Sequence, residues 1–219
     1  GVAHDGDADR AIFFDEAGEY VEGDASLAAL AAEALEPGDA TVAAVNVSQR
    51  LVDVCDDVGA DLELTPIGAT NIITRIQELQ AGGRHVPVAG EGNGGIFFPN
   101  YRLVRDGAFI GAKFLELLAR TGETPSEAVA PYTAYENVRR NLSYDEEGEL
   151  SAMLGAAERY AADADVEAET VDGYRLDYGD AWVLARPSGT EPVVRVYAEA
   201  TSADRARDLA EDFADAIEP

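Results

Sequence analysis

Lysine is almost missing from this chain. Lys113 is the only one among 219 residues, and every other cation is arginine. Asp and Glu together number 43 against 16 Lys and Arg, a formal net charge of −27. Such a chain repels nucleic acid and anionic membrane, so neither is expected as a partner. The acids are spread over the whole length rather than gathered into a tail, as on the surface of a folded protein. With lysine so scarce, the pattern reads as adaptation to high salt, where screening shortens to about 3 Å at 1 M and self-repulsion is relieved. Cysteine is equally scarce. Cys55 alone excludes an internal disulfide and fits a reducing cytoplasm. It lies in the apolar, helix-like stretch from Leu51 and reads as a core residue, not a nucleophile. No stretch of this sequence reads as a signal peptide, and none is an apolar run of 18 residues, so no membrane span is expected from it.

The length suits two domains, and a hydrophobic fraction of 47% supplies a core. Apolar periodicity and turn signals predict a strand at Ala11–Phe14, a helix from Ala25 to Leu35 and a strand from Thr41 to Val47. They continue with a helix at Gln49–Val58, a strand at Asp61–Thr65, a helix at Ala69–Gln80, a strand at Val86–Ala89 and a helix at Asp106–Arg120. This alternation indicates an α/β layered domain with a mixed sheet. After a break near Pro131 the rhythm changes: a strand at Tyr135–Leu142, a helix at Gly148–Ala162, strands at Ala168–Tyr178 and Ala181–Ala185 joined at Gly179-Asp180, a strand at Val193–Ala200 and a helix at Ala203–Ile217. That is a smaller α+β domain, one mostly antiparallel sheet covered by two helices.

Three loops carry chemistry. Asp5-Gly6-Asp7-Ala8-Asp9-Arg10 places carboxylates at every second position, on one face if the segment is extended. Hard oxygen donors suit Mg²⁺, and Arg10 adds a fork for phosphate. An EF-hand is not expected, because Arg10 stands where that loop needs glycine and only four residues of this sequence precede Asp5, too few for an incoming helix. A Ca²⁺-binding protein is therefore remote, and the neighbours of the acid pair also fit a haloacid-dehalogenase nucleophile poorly. Gly90-Glu91-Gly92-Asn93-Gly94-Gly95 lets backbone approach a ligand, and Glu91 with Asn93 offers a carboxylate and an amide to a sugar diol. Arg186-Pro187-Ser188-Gly189-Thr190-Glu191-Pro192, followed by Arg195, turns hydroxyls, the Gly189 N–H and guanidinium groups toward a phosphate dianion.

Together, and in this order, the loops resemble those of the α-D-phosphohexomutase superfamily: phosphomannomutases, phosphoglucomutases and phosphoglucosamine mutases. Thr65-Pro66-Ile67-Gly68 and Arg105-Asp106-Gly107 add to the likeness, which runs from end to end. The resemblance implies that Asp5, Asp7 and Asp9 hold Mg²⁺ and that Arg10 contacts the phosphoryl group in flight. It implies that Glu91 and Asn93 grip sugar hydroxyls, and that Arg186, Ser188, Gly189, Thr190 and Arg195 hold the non-reacting phosphate of a hexose phosphate. It assigns 1–24 to the tail of a metal-binding domain, 25–131 to a sugar-binding domain and 132–219 to a phosphate-binding domain. The superfamily's reaction runs through a phosphoserine and a bisphosphate intermediate. No serine here has the nucleophile's T-[AS]-S-H-N-P-like context, and no lysine lies near the Thr65 segment. A fragment lacking the nucleophile domain is expected, inactive alone, with a non-catalytic sugar-phosphate-binding module as the alternative. The general acid or base is unassigned, His4 being a candidate beside its plainer reading as a hydrogen-bonded loop neighbour. Mannose, glucose and glucosamine phosphates are not separated, and no oligomeric state is implied.

Overall fold

The computed structural model describes residues 1–218, which fall into two compact units, Gly1–Thr133 and a second from Ala134 onward. The first unit opens with a three-stranded antiparallel sheet, β1 (Val2–His4), β2 (Ala11–Phe14) and β3 (Tyr20–Val21), in the order β1-β2-β3. Ala3 faces Ile12, so the aspartate loop is the connection of a hairpin. β1 and β3 are elements that sequence reading missed, since two or three residues carry no periodicity.

A four-stranded sheet follows in the order β5-β4-β6-β7, built from β4 (Ala40–Ala44), β5 (Asp61–Thr65), β6 (Ala89–Glu91) and β7 (Gly95–Phe97). β4 runs parallel to β5 and β6, and β7 returns antiparallel to β6. The expected mixed sheet is therefore present. The strand predicted over Val86–Ala89 lies later, at Ala89–Glu91. Pro87 has no N–H to give a ladder, and the Val88 carbonyl is taken by the Thr41 hydroxyl at 2.9 Å. Val86 and Val88 are still buried.

Helices α1 (Gly23–Ala34), α2 (Gln49–Val58), α3 (Ala69–Ala81) and α4 (Gly107–Thr121) surround this sheet. Ser48 caps α2 by accepting from the Arg50 N–H, and Gly59 closes it in the left-handed region at φ 79°. α1 buries Ala25, Leu27, Ala28, Ala29, Leu30 and Ala31, all round rather than on one stripe. Its core reaches β2 through Phe13, which stacks on Phe114 of α4 with centroids 4.2 Å apart. That pair contributes about 0.5–1.5 kcal/mol beyond area burial. Cys55 lies in the same core, and its burial pushes the thiol up to about 12. The short α5 (Pro125–Val129) has a reciprocal cap: the Thr124 side chain accepts from the Glu127 N–H, and Glu127 accepts from the Thr124 N–H. Glu16 reaches the same helix start through the Ser126 hydroxyl and N–H.

The second unit is one antiparallel sheet in the order β8-β12-β11-β10-β9: β8 (Glu136–Ser143), β9 (Ala168–Glu169), β10 (Tyr174–Asp177), β11 (Ala181–Pro187) and β12 (Val193–Ala200). Helices α6 (Glu147–Ala162) and α7 (Ala203–Ile217) share its core: Met153, Ala157 and Phe213 pack with Leu176, Val183 and Val196. The single strand predicted over Ala168–Tyr178 is two. Gly173 sits at φ 91°, and a Cβ there would lie 2.7 Å from Arg186 Cβ and 2.9 Å from its Cα, so the chain turns at Gly173 against β11. No described helix is long and apolar enough to cross a membrane.

Candidate functional site

The aspartate loop is not extended. Over four residues an extended chain would separate Asp5 and Asp9 by about 13 Å, beyond the reach of one ion. Instead the Ala8 N–H donates to the Asp5 carbonyl at 3.1 Å, and Ala8 enters the left-handed region at φ 55°. The turn brings one carboxylate oxygen from each of Asp5, Asp7 and Asp9 within 4.8 Å of one another. The convergence expected from alternation is therefore produced by a turn.

Two contacts hold the loop in this shape. His4 Nδ1 donates to the Arg10 carbonyl at 2.8 Å. The Gly107 N–H, in the first turn of α4, donates to the Ala8 carbonyl at 3.0 Å. A Cβ on Gly107 would lie 2.5 Å from the Arg10 oxygen, 2.6 Å from His4 Nδ1 and 2.7 Å from the Ala8 oxygen, so only glycine fits. Asp106 caps the same helix by accepting from the Phe109 N–H at 3.1 Å.

Arg10 Nε donates to Asp5 Oδ2 at 2.5 Å and lies 3.7 Å from Asp9 Oδ1. Partial desolvation works against ionisation of Asp5, but hydrogen bonds from the Arg10 side chain and N–H outweigh it and hold the carboxyl below its ordinary value. The bond to Asp5, opposed by partial desolvation, raises Arg10 in turn.

The glycine loop turns between β6 and β7. Asn93 folds its Oδ1 onto the Gly95 N–H at 3.0 Å, an Asx turn. Asn93 lines a cavity of about 200 Å³ with Ala3, His4, Asp5, Arg10 and Ile12. The structure thus brings the first two loops together. Glu91 is buried and takes a different partner: Arg105 Nη1 donates to Glu91 Oε2 at 2.8 Å. The same guanidinium reaches Asp9 Oδ2, through Nε at 2.8 Å and through Nη2. Sequence reading assigned Arg105 no role. The signal available was an arginine set directly before the capping Asp and first glycine of a helix that abuts the acidic loop.

The third loop is in the second unit. The Ser188 hydroxyl oxygen accepts from the N–H groups of Thr190 and Glu191 at 3.4 and 3.3 Å, closing an ST turn. Gly189 and Thr190 are exposed. The arginines are not bare cations. Arg186 Nε donates to Asp172 Oδ2 at 3.0 Å, and Arg195 Nη2 pairs with Glu191. Hydrogen bonds to Tyr197 and Glu191 raise Arg195, against its partial desolvation. The guanidinium groups expected to face a phosphate are thus half-neutralised by these carboxylates. Arg186 still keeps its two terminal nitrogens beyond the Asp172 bond.

Comparison with known proteins finds relatives of both units. Residues 22–135 match the family described as phosphoglucomutase/phosphomannomutase, alpha/beta/alpha domain III. Residues 147–216 match the C-terminal domain of the same family. A phosphoglucomutase/phosphomannomutase of Thermococcus kodakarensis is 35% identical over 213 residues, covering 96% of this chain and 45% of the relative. A crystal structure of a phosphoglucomutase/phosphomannomutase family protein from Burkholderia thailandensis superposes with a TM-score of 0.81 at 29% identity, over 99% of this chain and 46% of that one. The N-acetylphosphoglucosamine mutase of Aspergillus fumigatus, solved with GlcNAc-6P and magnesium, shares the fold at 23% identity and a TM-score of 0.62, over 99% of this chain and 48% of that one. The chain spans about half the length of the relatives it matches. Two domains of one family, matched in order along an α/β unit and an α+β unit, place this chain in the phosphoglucomutase/phosphomannomutase family, among the α-D-phosphohexomutases.

Proposed function

We propose that this chain supplies the sugar-binding and distal-phosphate-binding part of a phosphohexomutase, an isomerase that moves a phosphoryl group between two positions of a hexose phosphate. The observation that carries the reading is the cavity where Asp5 and Arg10 of the acidic loop meet Asn93 of the glycine loop. A phosphoryl group and a sugar hydroxyl must lie side by side for such a transfer, and the two loops put an anion-binding fork next to an amide.

The donor set fits a hard divalent cation: three carboxylates, each offering an oxygen, on one short turn. Asp5, Asp7 and Asp9 would hold Mg²⁺, which when bound neutralises charge on a transferring phosphoryl group. The three carboxylates repel one another, so cation affinity of the chain alone should be weak.

Arg10 offers its remaining N–H groups to the phosphoryl oxygens, and Glu91 and Asn93 hold sugar hydroxyls. Arg186, Ser188, Thr190, the Gly189 N–H and Arg195 receive the non-reacting phosphate. Phosphoryl transfer depends on positioning and charge neutralisation, and these side chains supply both. The phosphoserine of the superfamily's reaction has no counterpart context in these residues, so the chain alone binds without turning over.

Calorimetric titration with glucose 6-phosphate tests the reading. Binding by the chain, weakened at least about tenfold in Arg186→Ala by loss of a charge-assisted phosphate contact, supports it. Identical isotherms for the two proteins, or mutase turnover by the chain alone, would refute it.

A further inference from the structure

Arg105 joins two loops that are 82 residues apart in sequence and belong to different sheets. Its side chain is largely buried, 18% exposed, and its guanidinium makes three bonds: two to Asp9 Oδ2 and one to Glu91 Oε2. All three go to one oxygen of each carboxylate. The other oxygens are left to different surroundings. Asp9 Oδ1 lies on the Arg10 side, 3.7 Å from that guanidinium. Glu91 Oε1 is not the oxygen that Arg105 engages. A second observation shows that the backbone makes room for this arrangement. A Cβ on Gly95 would lie 2.8 Å from Arg105 Cδ and 2.8 Å from Nη1, so the last glycine of the loop is the space through which Arg105 passes.

We propose that Arg105 is a positioning residue for both loops. By holding one oxygen of Asp9 and one of Glu91 in a single rigid fork, it turns the second oxygen of each toward ligand: Asp9 Oδ1 toward the acidic cluster, Glu91 Oε1 toward a sugar hydroxyl. The inference deepens the proposed function and rests on its reading of these two loops. The physical basis is orientation. A carboxylate has two oxygens and free torsions, and a fork with fixed N–H directions selects one rotamer of each. Lysine at this position keeps the charge but presents a point cation without that directionality.

A double-mutant cycle on the 219-residue chain tests this, with glucose 6-phosphate as the calorimetric probe. Arg105→Met should weaken binding at least about fivefold in the native background and less than about twofold in a Glu91→Gln background, because Arg105 acts through Glu91. Arg105→Lys should melt within a few degrees of the native chain yet leave the affinity unrestored, a split that a purely structural role does not produce. Additive losses in the cycle, or full rescue by Arg105→Lys, overturn the inference while leaving the proposed function standing. Native chain that fails to bind glucose 6-phosphate at all overturns the proposed function, and this inference with it.

Discussion

Two glycines on one helix should respond to the same substitution with opposite signs. Gly107 and Gly111 lie one turn apart on α4. At Gly111 a new Cβ meets only Val2 Cγ1, at 3.8 Å, an ordinary contact. Gly111→Ala therefore removes the backbone freedom of an interior helical glycine and should stabilise by about 0.5–1 kcal/mol. At Gly107 the same methyl falls 2.5–2.7 Å from three atoms of the acidic hairpin, two of them backbone carbonyl oxygens. Those oxygens must withdraw by nearly an ångström, which breaks the Gly107–Ala8 and His4–Arg10 hydrogen bonds. Each bond contributes about 1 kcal/mol, and overpacking adds about 1–3 kcal/mol. Against a helix gain of under about 1 kcal/mol, Gly107→Ala should destabilise by about 2–4 kcal/mol. For a chain of this size the two variants should then melt on the order of 10 °C apart. Urea unfolding followed by far-ultraviolet circular dichroism measures the difference. If Gly107→Ala unfolds at or above the native midpoint, the hairpin yields freely to α4, and the tight seating of the acidic loop is wrong.

Three further outcomes are expected. Ala8→Gly should stabilise by about 1 kcal/mol, because glycine takes the φ of 55° without the cost an alanine bears there; an unchanged urea midpoint would remove that strain from the account. Glu16 and Glu127 are both held below their ordinary value, Glu16 first by the Ser126 hydroxyl and Glu127 first by the Thr124 N–H. Their contribution is present above the ordinary carboxylate pKa and lost as pH falls through the lowered folded values; the Glu16→Gln/Glu127→Gln variant should thus differ from the native chain in melting temperature at pH 7 and converge with it in acid, and a constant gap would contradict the assignment. Melting in a KCl series should rise with salt, since the charge of −27 is screened; equal stability in dilute buffer and molar KCl would count against salt adaptation.

Helix positions were legible because apolar periodicity over ten or more residues is a strong signal. Gln49–Val58 carries its own punctuation, a capping Ser48 and a terminal Gly59. Short strands were less legible. β1 is three residues long, and Pro87 moved β6 away from the valines that suggested it. The three loops were readable as residue types in order. Their geometry was not: Asp5, Asp7 and Asp9 meet because Ala8 takes a left-handed backbone, and no alternation rule encodes that. Pairings between distant segments were invisible for the same reason. Arg105 with Asp9, and Arg186 with Asp172, depend on which turns face which.

The glycine loop between β6 and β7 would ordinarily suggest mobility. Its glycines are instead places where neighbours leave no room. A Cβ on Gly90 would meet the Gly95 oxygen at 3.0 Å, one on Gly94 would strike the Ala11 carbonyl, one on Gly92 the Asp24 carboxylate, and one on Gly95 the Arg105 stem. Side-chain poverty here records crowding. Fixing a flexible backbone costs about 1–2 kcal/mol per residue, and a loop already immobilised during folding incurs none of that cost when a ligand arrives. Under the proposed function the ligand would meet a rigid template, and selectivity among hexoses would be set by which hydroxyls fit Asn93 and Glu91 as they stand, not by how far the loop can adapt.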